Sequence, residues 1–131
     1  MIRLAMICAM ALTLTACRAD ESITAYGASG KVWTLVELDS DPFTATATLT
    51  FPAPGQIAGR APCNRFFGSQ TAPYPWFETG PLGSTKMACP DLAAESQYLT
   101  ALGEMTLSEV SGPTLILSND AGRSMVFTAQ E

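Results

Sequence analysis

Thr114-Leu115-Ile116-Leu117-Ser118, Asn119-Asp120-Ala121-Gly122 and Ser124-Met125-Val126-Phe127-Thr128 carry the clearest local structural pattern in the chain. Two runs rich in β-branched and large apolar residues flank a cluster of Asn, Asp and Gly. Those turn residues supply side-chain-to-backbone hydrogen bonds and positive φ angles, so the pattern predicts an antiparallel hairpin. Working outward, Thr106 to Ser111, closed by Gly112-Pro113, adds the preceding strand. Towards the N-terminus, Val32 to Leu38 alternates, with Trp33, Leu35 and Glu37 expected on one side, and Asp39-Ser40-Asp41-Pro42 stops it. Thr44 to Phe51 is rich in β-branched Thr and ends at Pro52-Ala53-Pro54-Gly55, after which Gln56 to Gly59 returns as a hairpin partner.

One segment has a different period. Between Asp91 and Gly103, Leu92, Leu99 and Leu102 share a helical face, widened by Ala94, Tyr98 and Ala101. Pro90 suits the first turn, Asp91 and Glu95 suit the positive N-terminal end, and Gly103 suits the stop. The fold class expected is α+β and β-rich: a curled antiparallel sheet, tending towards a barrel, with one helix near residues 91–103. Trp33, Leu49, Phe51, Leu99, Leu102, Leu115, Leu117 and Phe127 are the expected core.

The N-terminus reads as a leader. Met1-Ile2-Arg3 is a short positive region, and Leu4 to Thr13 is an uncharged run too short to span a bilayer. Leu14-Thr15-Ala16-Cys17 resembles the lipobox of bacterial lipoproteins, in which the Cys becomes the first mature residue and carries lipid. Charges resume at once with Arg18, Asp20 and Glu21. The organisation expected is therefore a signal peptide over 1–16, a flexible Gly/Ser-containing tether over 17–29 and one domain over 30–131. Membrane attachment through lipid on Cys17 places the chain on the periplasmic side of the bacterial envelope. Arg18 after that Cys points to the outer rather than the inner membrane.

Charge and composition narrow the function. The chain carries a net −5, and removal of Arg3 with the leader leaves −6. Six dispersed basic residues make no footprint for nucleic acid. His is absent, which excludes Ser-His-Asp and Cys-His catalysis and leaves no ligand set for structural zinc. Asp39 and Asp41 read as turn chemistry rather than a cation site. No phosphate-cradling Gly loop or dinucleotide fingerprint occurs, so no cofactor and no metal are expected.

Gly59-Arg60-Ala61-Pro62-Cys63-Asn64-Arg65-Phe66-Phe67-Gly68 resembles the Gly-x-x-Gly-Cys-Asn-x-aromatic-x-Gly signature of META domains. Thr85-Lys86-Met87-Ala88-Cys89, followed by Glu95, Tyr98, Leu99 and Leu102, extends the resemblance, as do Trp33-Thr34-Leu35 and the closing hairpin. It covers about residues 30–129. The family includes the heat-shock-associated HslJ lipoproteins of the bacterial envelope. The resemblance implies a small β-rich domain with one helix, no established reaction, and motif positions at Gly59, Asn64, Gly68, Thr85 and Met87. Pro62 departs from the family's Gly, and a proline cannot copy a positive φ there.

Cys63 and Cys89 remain as an even pair in an oxidising compartment, which reads as a disulfide closing a loop of about 27 residues. The alternative is two buried thiols acting as small hydrophobes. Phe66, Phe67, Tyr74 and Trp76 lie between them as possible ligand-binding aromatics, or as core. Three functions stay open. The first is a non-catalytic module that binds an unknown envelope protein or small ligand, or supports the envelope under stress. The second is a protease-inhibitor-like β module presenting a loop. The third is a hydrolase built on Ser84 and Lys86, which requires those two side chains within hydrogen-bond reach in a cleft.

Overall fold

The computed structural model describes residues 19–130. Cys17 and the leader expected over 1–16 lie outside the described residues. Nine strands and one helix follow in order: β1 Trp33–Leu38, β2 Asp41–Pro42, β3 Thr48–Leu49, β4 Gln56–Arg60, β5 Arg65–Ser69, β6 Gly83–Ser84, α1 Leu92–Glu104, β7 Leu107–Ser111, β8 Thr114–Ser118 and β9 Ser124–Ala129. Every pairing is antiparallel. One sheet runs β2-β1-β9-β8-β7, with β3 also on β1, and a smaller sheet runs β4-β5-β6. Thr50 and Ala58 exchange backbone hydrogen bonds of 2.7 and 3.1 Å, which joins the sheets at one point without closing a barrel.

The hairpin predicted from Thr114 to Thr128 is present, with Leu115 opposite Phe127 and Leu117 opposite Met125. Its turn works as the sequence requires. Asn119 Oδ1 accepts from the amides of Ala121 and Arg123 at 3.0 and 3.1 Å, and Gly122 takes φ 81°. β9 also pairs with β1, so Leu115, Leu117, Met125, Phe127, Trp33 and Leu35 present one continuous buried face. A bulge between Leu35 and Glu37 breaks the alternation of β1 and leaves Glu37 exposed, not on the Trp33 side. Asp39 and Ser40 both adopt positive φ, 51° and 69°, so the stretch that ends β1 also turns it back into the short strand β2. Of the strand expected over 44–51, only Thr48–Leu49 pairs as one.

Helix α1 lies where its period predicts, but rotated. Glu95, Tyr98, Ala101 and Leu102 are buried, whereas Leu99 is half-buried and Leu92 exposed. Two polar anchors set that rotation: the Glu95 carboxylate, held by backbone amides, and the Tyr98 hydroxyl, which donates to Thr48 O at 3.0 Å. The Tyr98 ring meets Phe66 edge-on at 5.6 Å and Phe127 at 6.4 Å, so one residue packs on both sheets. Its burial pushes the phenol pKa up.

The segment expected as a flexible tether is docked instead. Ile23–Tyr26 forms a 3₁₀ turn, Ile23 and Ala28 are buried, and Tyr26 stacks on Tyr74 with centroids 4.4 Å apart. Glu21 O accepts from Tyr74 N at 2.8 Å, and Ala28 O accepts from Trp33 Nε1 at 3.0 Å. Small polar residues dominate this segment, but Ile23, Tyr26 and Ala28 suffice to seat it. Among the described residues, the buried hydrophobic side chains run from Ile23 to Ala129 and form one core.

Candidate functional site

The motif region is built on the β4–β5 hairpin. Its four-residue loop, Ala61 to Asn64, closes with Ala61 N donating to Asn64 O at 2.8 Å. Pro62 occupies this loop without disrupting it. Glycine is required two residues before the loop, at Gly59 on β4: a Cβ there would sit 2.1 Å from Thr48 O and 2.8 Å from the Phe66 ring. Gly68 lies further along β5 against Leu82 and takes no part in the loop.

Cys63 and Cys89 form a disulfide, with Cα atoms 5.6 Å apart, within bridging range. It ties the hairpin loop to the residues that lead into α1. On the loop-entropy account, removing it by reduction or by a double Cys→Ser change should cost about 3.5 kcal/mol. Urea unfolding with and without reductant reads this directly, and an unchanged midpoint would contradict the role.

Asn64 is the centre of the region. It is buried, and its side-chain amide makes four hydrogen bonds. Oδ1 accepts from Met87 N at 2.6 Å and from Thr85 Oγ1 at 2.9 Å. Nδ2 donates to Met87 O at 2.9 Å and to Glu95 Oε2 at 2.7 Å. The full capacity of the amide is used. It pairs with the backbone of Met87 much as a neighbouring strand would. Thr85 Oγ1 also accepts from Arg65 N at 3.2 Å, so Thr85 extends the same stitching along β5.

Glu95 completes the network, and the sequence reading missed its part, taking it as a charge placed to suit the helix dipole. Its Oε1 accepts from Cys63 N at 3.0 Å and from Asn64 N at 2.7 Å. The buried carboxylate is satisfied by amide donors alone. Both ion pairs among the described residues belong to Arg123, which reaches Asp39 and Glu104. Three N–H donors and the first turns of α1 compensate the charge that burial would otherwise penalise. The available signal was an acid on the inward phase of the helix, three residues after Leu92 and four before Leu99.

Outside this network the hairpin loop opens on a cleft of about 570 Å³, lined by the loop residues Ala61 to Asn64 together with Thr46, Arg60, Arg65, Thr85 and Met87. Met87 is exposed there. Asn64, Thr85 and Met87 therefore gather round one place, while Gly59 lies behind it on β4, opposite Phe66.

The aromatic set does not. Phe66 is core, and Phe67 is exposed and covers Gly83. Tyr74 is half-buried under Tyr26, and Trp76 is exposed beside Leu107. Tyr74 and Trp76 line separate hollows. Lys86 Nζ donates to Ser84 Oγ at 3.2 Å, on a shallow groove bordered by Leu82, Leu99 and Glu104. Lys86 is exposed. Among the described residues, no three acids or cysteines gather to hold a metal ion.

The sequence profile of the META domain matches residues 27–131. The chain is similar in structure to a protein from Burkholderia xenovorans solved by NMR, at 25% identity and TM-score 0.66, covering 88% of this chain and 93% of that one. It is also similar to a crystal structure of a DUF4847 family protein from Bacteroides vulgatus, at 14% identity and TM-score 0.66, covering 84% and 100%. That second likeness concerns the fold alone. No curated protein matches the chain.

Proposed function

The chain belongs to the META domain family, and on that premise we propose that it is a lipid-anchored envelope protein whose body is a non-catalytic binding module. The observation that carries this reading is the use of the signature's polar atoms. Asn64, Thr85 and Glu95 direct their hydrogen-bonding atoms into the fold, where they hold a loop, a disulfide and a helix together beside an open cleft. A catalytic set needs at least one such group free to meet substrate.

The Ser84–Lys86 contact is the observation that favours a hydrolase. Lysine acts as a base where burial strips its hydration, and Lys86 stands in water. A fluorophosphonate probe should therefore leave Ser84 unlabelled. Labelling that disappears in Ser84→Ala would favour the hydrolase.

The anchor rests on Leu14-Thr15-Ala16-Cys17 and on the charge of the body. Among the described residues no helix is long and apolar enough to cross a membrane. An acidic body has little affinity for anionic bilayers, so acyl chains on Cys17 supply the attachment, two or more being needed for stable binding. We place the protein on the periplasmic side, at the outer membrane. Cells fed labelled palmitate should incorporate it into the wild-type chain and not into Cys17→Ser, which should leave the membrane fraction or remain unprocessed. A mature wild-type protein free of lipid in the soluble periplasmic fraction would overturn the anchor.

A further inference from the structure

We propose that the cleft at the β4–β5 hairpin is an anion site for a phosphate monoester, held between Arg60 and Arg65. The proposal deepens the binding-module reading and rests on it. Arg60 and Arg65 face each other in register across the hairpin, immediately outside the Ala61–Asn64 loop. Like charges placed directly opposite on a strand pair are unfavourable, and an acid nearby would relieve them. Here none is supplied. The ion pairs among the described residues use only Arg123, and no Asp or Glu lines the cleft, although the chain has 12 acids to 7 bases.

The guanidinium groups of Arg60 and Arg65 make no hydrogen bond within the described residues; the contacts of both residues there are made by their backbones. Both side chains are exposed, so their planar donor arrays are open to a ligand. The acid nearest to the loop in the hydrogen-bond network, Glu95, is turned inward with both oxygens engaged. What faces outward is donor-rich and cationic.

Charge and size select the ligand class. Two guanidinium groups match a dianion, and a phosphate monoester carries roughly −1.5 to −2 near neutral pH, where a carboxylate carries one charge. The cleft, about 570 Å³, is larger than a phosphate ion needs. Its remaining wall mixes the polar Thr46, Asn64 and Thr85 with Ala61, Pro62 and the exposed Met87, which leaves room for an organic group on the phosphate. The disulfide and the Asn64 network fix the loop between the two arginines, so little ordering is required on binding.

The test is an amide NMR titration of the chain from residue 19 onward, disulfide intact, with phenyl phosphate. Saturable shifts should concentrate at residues 60–65, Thr46, Thr85 and Met87. Arg60→Gln and Arg65→Gln should each weaken binding about tenfold, and the double variant should abolish it while keeping the native spectrum. Lys31→Gln, outside the cleft, should bind as wild type. Shifts scattered over the surface, or binding that survives in the double variant, would overturn the site.

A second arm separates a soluble ester from a lipid headgroup. Co-sedimentation with phosphatidylcholine vesicles containing phosphatidic acid, lost in the double variant, supports the site with a lipid source. Phenyl phosphate binding without co-sedimentation supports it with a soluble one. Phenol release during the titration would overturn the non-catalytic reading and not the anion site, so the two fail separately.

Discussion

Trp33→Ala is expected to destabilise the domain by about 3–5 kcal/mol, the cost of emptying a large, fully packed aromatic site. Trp33 is entirely buried at the start of β1, where it pairs with Leu49 on β3 and with Ala129 on β9. Its loss removes packing from both partners of the central strand. It also orphans Ala28 O, which accepts the indole N–H, and so loosens the docked segment from Glu21 to Ala28. Urea unfolding should show a lower midpoint with little change in slope, and Tm should fall by roughly 10–20 °C. Trp33→Phe, which refills most of the volume but cannot donate to Ala28, should recover more than half of the loss. A cost below about 1 kcal/mol for the alanine variant would show that β1 is not the centre of the core.

Glu95→Ala is expected to have an effect of similar size, for a different reason. The carboxylate takes three N–H groups, from Cys63, Asn64 and the Asn64 side chain, and its removal strands two backbone donors in a largely buried loop. Bonds to a charged acceptor are worth about 1.5–3 kcal/mol each, and the loop relaxes in part, so a total of about 3–5 kcal/mol is expected. The expected cost is large although Glu95 has no ion pair among the described residues, because it arises from the donors left behind. Glu95→Gln should be milder, since one carboxamide oxygen can still accept from the backbone. Hydrogen exchange should speed at Cys63, Asn64 and Met87 in the alanine variant while the β8–β9 amides keep their protection. Uniform loss of protection across both sheets would mean that Glu95 supports the whole core and not this corner.

The architecture was legible wherever local pattern and turn chemistry agreed. The Thr114–Thr128 hairpin could be read because its apolar phase and its Asn-Asp-Ala-Gly turn point to the same pairing. Helix α1 could be located because its period differs from that of its surroundings. Its exact rotation could not be read, because an acid on the apolar phase does not show what holds it, and the amides that draw Glu95 in lie over 30 residues away in sequence. The bulge after Leu35 and the docking of Ile23, Tyr26 and Ala28 depend on contacts with β9 and Tyr74 that no local window contains.

At the site, Asn64, Thr85 and Met87 stood out through their resemblance to a family pattern, and the pairing of Cys63 with Cys89 followed from compartment and count. The aromatic quartet does not form one patch: alternation along β5 sends Phe66 in and Phe67 out, and Tyr74 and Trp76 line separate hollows. The Arg60–Arg65 juxtaposition was invisible before the hairpin register was known, because a shift of one residue would place the two side chains on opposite faces.

The central claim is that the signature residues are a frame: Asn64 and Glu95 lock the hairpin loop to the helix and thereby hold the cleft. A double-mutant cycle on Asn64→Ala and Glu95→Ala, measured by urea unfolding of the chain from residue 19 with its disulfide intact, tests it most directly. The two side chains are 2.7 Å apart through Nδ2 and Oε2, and the account predicts a coupling of about 1.5–3 kcal/mol. Additive losses, with a coupling near zero, would contradict it.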